Sequence, residues 1–130
     1  MSFKDIQHLS NIYLYCGGMN LNRRTFTGKP FIGLDRFPHN KYPPQFHIRH
    51  DLLNKFGLND NSVDIIQSED VFEHIEYSQL KNIFNEIYRV LKPNGLFRLS
   101  MPDYDCDVLY NRSTFDKEGN IVFDAGGGGA

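Results

Sequence analysis

VDIIQSEDVFEHIEYSQLKNIFNEIYRVLKPNGLFRLSMPDY, residues 63–104, decides the fold class of this 130-residue chain. One apolar run over residues 62–67 ends in a polar cluster, and a second over residues 96–101 ends in Pro-Asp, with a helical pattern between them. This order predicts strand, helix and strand in a parallel sheet, because parallel neighbours need a long crossover connection. Open α/β sheets bind small molecules at the carboxyl ends of their strands, so both polar ends are candidate site segments.

The helix between these two strands is the most regular element of the sequence. Its apolar residues recur at the 3.6-residue period of one helix face, and they are Leu80, Ile83, Phe84, Ile87 and Leu91. Glu86 falls on the opposite, polar side. Arg89 and Lys92 suit the negative carboxyl end of a helix, and Pro93 and Gly95 then end it. The crossover that contains such a helix is expected to be right-handed.

Three more strands are predicted upstream, at residues 11–16, 31–37 and 46–51. The connections between them are short, and residues 38–45 contain three prolines, which exclude a regular helix there. The sequence therefore predicts an α/β, Rossmann-like fold with a mostly parallel sheet of about five strands and one long crossover helix. Residues 121–123 fit a short strand, and the four glycines at 126–129 favour a weakly ordered segment over residues 105–130.

Length, charge and cysteine content narrow the classes of protein. A chain of 130 residues is expected to form one domain, here with residues 11–104 as its core. A net charge of −2 gives no electrostatic hold on nucleic acid or on an anionic membrane. Cys16 and Cys106 have neither metal nor disulfide spacing, which favours a reducing cytoplasm. The N-terminus lacks an apolar stretch of signal-peptide length, and residues 12–16 are too few to cross a bilayer.

The first three strands end in residues that suit a nucleoside-containing ligand. Gly17 and Gly18 leave the backbone bare after the first strand, so that a ligand can approach it closely. Asp35 ends the second strand, where an acidic residue binds ribose hydroxyls in related folds, and Asp51 is placed to accept a hydrogen bond from an exocyclic amine. The plainer alternatives are a glycine turn, a surface aspartate and an N-cap. The fingerprint G-x-G-x-x-G is absent, which disfavours a nicotinamide cofactor.

The polar cluster after the fourth strand has two interpretations. Asp70 and Glu73 have the spacing of an aspartate version of the capping box, which would start the long helix. Ser68 and Glu69 are freer to face a ligand. His74 would then lie in the first turn of the helix, where a neutral imidazole can orient a substrate or take a proton, although a packing or surface histidine is the plainer alternative.

Two further groups of residues complete the candidates. Asp103 and Tyr104 follow the fifth strand on the same sheet edge and are the best substrate-side candidates, although Pro-Asp is also an ordinary turn pair. His47 and His50 would point to opposite faces of a strand, so no metal site is predicted. His74 and Asp103 are therefore the two candidates for a catalytic base.

These residues, in this order, resemble the class I S-adenosylmethionine-dependent methyltransferases, in particular the small bacterial type-11-like group. The motifs that carry the resemblance span residues 11–104 and read, in order, LYCGG at 14–18, GLD at 33–35, HDL at 50–52, DNSVD at 60–64, SEDVFEH at 68–74, RVLKPNG at 89–95 and MPDY at 101–104. The last two are rather specific, whereas the glycine turn alone is not.

The resemblance implies methyl transfer from S-adenosylmethionine and a set of contacts to that cofactor. Asp35 would hold the ribose, and Asp51 and Leu52 would frame the adenine. The methionine part would be approached by the remaining residues of the set, which are Cys16, Gly17, Gly18, Ser68 and Glu69. The acceptor is expected to be a small molecule or a glycan rather than nucleic acid, since the charges nearly balance.

The chain departs from the family pattern at two places. Tyr15 stands where the family has the first glycine of its motif, and the strands that normally follow the fifth are incomplete. These departures keep open a second hypothesis, in which the domain is a non-catalytic binding or interaction module. They also favour a homodimer that covers the open side of the fifth strand.

Overall fold

The computed structural model describes residues 1–17, 31–36, 46–102, 114–115, 117–118 and 121–123 of the chain. Within these residues, five parallel strands form one sheet with the order β3-β2-β1-β4-β5. The strands are β1 (Tyr13–Cys16), β2 (Ile32–Asp35), β3 (His47–Arg49), β4 (Val63–Glu69) and β5 (Leu91–Ser100). The predicted five-stranded, Rossmann-like sheet is confirmed.

In the described part of the chain, three helical segments and a small second sheet accompany the five strands. They are α1 (Phe3–Ile6), a 3₁₀ helix (Phe72–His74), the long helix α2 (Tyr77–Val90), and an antiparallel pair of β6 (Thr114–Phe115) and β7 (Ile121–Phe123). The strand predicted at residues 121–123 is confirmed, whereas its partner β6 was not predicted. Residues 18–30, 37–45, 103–113 and 124–130 lie outside the described residues, with the connections and the glycine run predicted there.

The strand order places the switch point of the sheet between β1 and β4. From β1 the chain moves outward through β2 to β3, and it then returns to the other side of β1 to form β4 and β5. In doubly wound sheets a crevice opens at the carboxyl ends of the strands where the order reverses. The ends of β1, β2, β3 and β4 are therefore the place to look for a ligand site.

Side chains of the sheet contribute to two apolar clusters. Leu14 and Cys16 join the main cluster, which includes buried residues of α2. Tyr15 points the other way, as the period of two along a strand requires, and packs in a second cluster with Phe31 and Ile65. Because both neighbours of Tyr15 are fully buried, β1 is covered on both faces, as expected for a central parallel strand.

The long helix starts later than the capping-box spacing predicts, and that prediction is wrong. β4 continues to Glu69, and Asp70 adopts a left-handed conformation with φ 57° while its amide donates to the carbonyl of Ser100 at 3.0 Å. The 3₁₀ helix follows, and Ile75 is extended, so that α2 begins only after its N-cap Glu76. Sheet pairing with β5 thus overrides the local cap signal of Asp70.

The carboxyl end of α2 also differs from the prediction. The helix ends at Val90, and Leu91 and Lys92 already belong to β5. Lys92 binds the Asp64 carboxylate at 3.0 Å and the Ser10 carbonyl at 2.8 Å instead of the last helix carbonyls. Gly95 then allows a tight turn, since a Cβ there would lie 2.8 Å from the carbonyl oxygen of Lys92.

Glu86 is buried, contrary to its predicted place on the polar side of the helix. Its carboxylate accepts hydrogen bonds from the Phe56 amide at 3.0 Å and from Arg89, which holds the pKa of Glu86 below its usual value. Arg89 also donates to the carbonyls of Phe56 and Leu58 and to Asp60, each at 2.9 Å. This network fastens the loop before β4 to α2.

No helix in the described part of the chain is long and apolar enough to cross a membrane. The division of residues 1–130 into a single domain with a core at 11–104 stays a prediction.

Candidate functional site

A cavity of about 450 Å³ opens at the carboxyl ends of the parallel strands. It is lined by residues that follow or end β1, β2, β3 and β4, together with residues that lead into α2. They are Gly17, Leu34, Asp35, Arg36, His50, Asp51, Leu52, Leu53, Asp70, Val71, His74, Ile75, Glu76 and Gln79. Its volume lies in the range of small-molecule and cofactor sites, and its position is the one expected for a doubly wound sheet.

The cavity brings together several of the residues predicted from the sequence. Four of the predicted cofactor residues line it, and so does one of the two candidates for a base; they are Gly17, Asp35, Asp51, Leu52 and His74. Cys16, Ser68 and Glu69 do not line it. Gly18 and Asp103 lie outside the described residues. The roles of all these residues stay predictions.

Gly17 shapes the floor of the cavity through its backbone. Its φ of 127° is in a region that residues with side chains rarely adopt, and its amide donates to the carbonyl of Leu34 at 2.8 Å. A Cβ at this position would meet Tyr15 at 3.4 Å and Val71 at 3.5 Å, which are ordinary contact distances. The bare glycine therefore leaves room for a ligand atom between β1 and the segment after β4.

Tyr15 does not fill the cavity, although the resemblance predicts a glycine at this position. The residue is 4% exposed, and its ring lies 5.8 Å from that of Phe31, between centroids. Tyr15 is absent from the cavity lining. The bulky side chain is thus part of the core under the glycine turn, and the space above Gly17 stays open.

Asp51 serves as a turn cap and also faces the cavity. One of its carboxylate oxygens accepts from the Leu53 amide at 3.0 Å, which bears out the cap alternative for a turn rather than for a helix. The other lies 3.5 Å from Nε of Arg36, a residue that also lines the cavity. The pair keeps Asp51 at the rim, where each oxygen still has a lone pair for a ligand donor.

Cys16 and Ser68 lie side by side on β1 and β4 beneath the cavity. Both are fully buried, and burial raises the pKa of the Cys16 thiol to about 12, so that the thiol is an inert core group. The Ser68 hydroxyl has no hydrogen-bond partner in the described residues. The carboxylate of Glu69 accepts a hydrogen bond from the side-chain amide of Gln67. The side chains of Cys16 and Ser68, both fully buried, would reach a ligand only after a change in the local structure.

His74 and Glu73 form a pair at the α2 side of the site. Nε2 of His74 lies 3.4 Å from Oε1 of Glu73. The Glu73 side chain is only 2% exposed, and neither of its oxygens has a hydrogen-bond partner in the described part of the chain. The His74 side chain is 61% exposed and lines the cavity. A buried carboxylate that accepts no hydrogen bond from the described residues is unusual, because buried charge is normally hydrogen-bonded.

The other two histidines near the sheet have structural surroundings. His47 is buried within β3. His50 packs edge-on against the rings of Phe3 and Phe56 at 5.0 and 5.1 Å, and its burial lowers its pKa. This burial favours the neutral form of the His50 imidazole, which lines the cavity next to Asp51. The described residues contain no group of three or more potential metal ligands.

Sequence reasoning missed Arg36, His50, Glu76 and Gln79 as lining residues. A helix that started near Asp70, as the capping-box spacing predicts, would have Glu76 and Gln79 within its body. The extended residue Ile75 and the N-cap Glu76 put both side chains at the cavity instead. The pattern of the first four strand ends could have indicated Arg36, which directly follows Asp35.

A doubly wound sheet with a cavity at its switch point defines a Rossmann-like domain for a small-molecule or nucleoside-type ligand. Residues 22–99, more than half of the chain, match a family model described as "Methyltransferase domain". The chain belongs to this methyltransferase family. The matched range contains Asp35, Asp51 and His74, and it begins after the glycine turn.

A curated relative supports the same family. A "Probable S-adenosylmethionine-dependent methyltransferase" of Mycolicibacterium smegmatis is 38% identical over 60 residues, which are 46% of this chain and 23% of the relative. The aligned part of the chain thus spans about a quarter of that protein. No solved structure matches the chain significantly. Together the two matches confirm the resemblance to the type-11-like methyltransferases predicted from the motifs.

Proposed function

We propose that this domain binds S-adenosylmethionine and transfers its methyl group to a small-molecule or glycan acceptor. The observation that carries the proposal is the meeting of Gly17, Asp35 and Asp51 around one cavity at the switch point of the sheet. They follow or end three neighbouring strands, and each has the chemistry expected for one part of the cofactor. Membership of the methyltransferase family and the relative's printed name support the same ligand.

The residues divide between the parts of the cofactor as follows. The carboxylate of Asp35 accepts hydrogen bonds from both ribose hydroxyls, because one carboxylate can accept two hydrogen bonds from a vicinal diol. Asp51 accepts from the adenine amine, and Leu52 packs on the ring. Gly17 and Val71 leave space for the methionine part. The resemblance implies contacts from Ser68 and Glu69 to this part, and we propose that the backbone of these two residues makes them instead of their side chains. When bound, the cofactor supplies an electrophilic methyl group on a sulfonium.

The contribution of the protein to such a reaction is mainly alignment and exclusion of water. Residues between His74 and Gln79 also line the cavity, and we assign the acceptor to the space beside them. The nearly balanced charge of the chain favours an acceptor other than nucleic acid. A reducing cytoplasm fits the buried thiol of Cys16.

Calorimetric titration of the chain with S-adenosylmethionine, its demethylated product and NAD⁺ tests the proposal. Saturable one-site binding of the first two ligands, and none of NAD⁺, is the expected result. A folded sample that binds neither of the first two would favour the alternative, a Rossmann-like interaction module without methyltransferase activity. Binding of NAD⁺ would instead indicate an oxidoreductase.

A further inference from the structure

The pair of Glu73 and His74, beside the cavity, is an arrangement that packing does not explain. Moving a carboxylate out of water without hydrogen bonds destabilises a fold, and proteins seldom retain such a group without a compensating role. Glu73 is 2% exposed, lacks hydrogen-bond partners among the described residues, and has the Nε2 of His74 at 3.4 Å. A group that served stability alone would be better replaced by an apolar or amide side chain.

We propose that Glu73 is a positioning residue for His74, and that His74 is the base for an acceptor whose reacting oxygen carries a proton. This proposal deepens the proposed function and rests on it for the identity of the reaction. The carboxylate of Glu73 attracts the Nε2–H of His74, which leaves Nδ1 as the nitrogen with a free lone pair. The 3.4 Å separation is longer than a hydrogen bond, and such contacts often tighten only when substrate binds.

The step balances with these two residues alone. As the acceptor oxygen forms its bond to the methyl carbon, the carbon–sulfur bond breaks, the sulfur keeps the electron pair, and the hydroxyl proton moves to Nδ1 of His74. The positive charge of the sulfonium is lost, and a positive charge appears on the imidazole, where the carboxylate of Glu73 offsets it. Since the His74 side chain is 61% exposed, the proton can then pass to solvent.

This arrangement selects the class of acceptor. A base contributes when the attacking atom must lose a proton, which is the case for a hydroxyl, and contributes little to an acceptor that is already a free nucleophile. Other charged or titratable side chains also line the cavity, and a neutral hydroxyl acceptor adds no further charge among them. They are Asp35, Arg36, His50, Asp51, Asp70 and Glu76.

The test measures the reactivity of His74 with diethyl pyrocarbonate, which acylates a neutral imidazole nitrogen. Peptide mass spectrometry gives the rate for each histidine in the wild type and in Glu73→Gln without cofactor, at about pH 8, well above the usual pKa range of an imidazole, so that the rate reports the nucleophilicity of the neutral ring. We expect the rate of His74 to fall at least about threefold in the variant, the scale of one weak charge-assisted hydrogen bond. The exposed His8 is the internal reference and should react equally in both proteins.

A second measurement separates this role from a structural one. Because Glu73→Gln removes a buried charge that accepts no hydrogen bond from the described residues, we expect the midpoint of thermal unfolding to rise by roughly 2–6 °C. An unchanged His74 rate, or a variant that is less stable than the wild type, would overturn the proposal. The assay needs no cofactor, so a chain that failed to bind S-adenosylmethionine would refute the proposed function and still report on this pair.

Discussion

The amide of Gly17 donates a hydrogen bond of 2.8 Å to the carbonyl of Leu34, which ties the end of β1 to the end of β2. This bond extends the parallel register in which Cys16 pairs with Leu34. It holds the bare glycine turn beside Asp35, the next residue along β2. The relative position of the two main candidates for cofactor binding is thus set by backbone pairing and not by side chains.

Gly17→Ala should destabilise the domain by about 1–3 kcal/mol, because φ of 127° is strained for any residue with a side chain. Space is not the cause, since the added Cβ finds only ordinary contacts at 3.4 and 3.5 Å. Urea unfolding measures the change. Asn94→Gly is the matched control at another positive φ and should stay within about 1 kcal/mol of the wild type. Equal stability of Gly17→Ala and the wild type would contradict the strained conformation.

Tyr15→Gly introduces the glycine that the resemblance predicts, yet it should lower the free energy of unfolding and not improve cofactor binding. The ring is buried against Phe31, so its loss should cost about 3–5 kcal/mol, the range for deletion of a large aromatic side chain. Tyr15→Phe keeps the ring and should cost about 1 kcal/mol or less. Chemical unfolding and a cofactor titration of both variants provide the check. Tighter binding by Tyr15→Gly would show that the ring does obstruct the site.

The Glu86–Arg89 pair should make stability depend on acid pH. The pKa of Glu86 is lowered from its usual 4.5, chiefly by the hydrogen bond from Arg89, so its stabilising effect is complete above about pH 4.5. That effect is lost as the pH falls through the lower, folded-state pKa. Glu86→Gln should therefore cost about 1–3 kcal/mol at neutral pH and progressively less below pH 4.5.

Urea unfolding of the wild type and of Glu86→Gln from about pH 7 to about pH 3 gives the difference between their free energies of unfolding. Asp60→Asn is the control, since this partner of Arg89 is 71% exposed and its loss should cost less than about 1 kcal/mol at any pH. A difference between wild type and Glu86→Gln that does not change with pH would exclude this linkage.

We also predict that the domain forms a homodimer through the free edge of β5. Within the described residues β5 pairs only with β4, and three apolar side chains on or beside it are exposed, Leu96, Leu99 and Met101. An open apolar edge of this kind favours association with a second copy. Light scattering at high concentration should report a dimer, and Leu99→Glu should shift it toward monomer. A wild-type protein that stays monomeric at high concentration would contradict the prediction.

The sequence predicted the scaffold well because its signals are local. The helix period at Leu80, Ile83 and Ile87 and the apolar runs of the strands depend on neighbouring residues, and they gave the correct order of elements. The start of α2 was misplaced because the spacing of Asp70 and Glu73 imitates a cap, while the pairing of β4 with β5 decides where the strand ends.

The details of the site were less accessible because they depend on contacts distant in sequence. Glu86 is buried because the amide of Phe56, thirty residues away, needs an acceptor, and no local pattern reveals that. The buried carboxylate of Glu73 is a similar case. Gly17, Asp35 and Asp51 were recognised since they follow or end strands, and parallel strands bring such residues together at one edge of a sheet.

The most direct test of cofactor binding at this edge is a calorimetric titration of Asp35→Ala with S-adenosylmethionine. If Asp35 holds the ribose, the binding free energy should weaken by about 1–3 kcal/mol, the scale of lost hydrogen bonds to a charged group. Asp60→Ala removes an exposed carboxylate that does not line the cavity and should bind like the wild type. An affinity of Asp35→Ala equal to that of the wild type would contradict the proposed site.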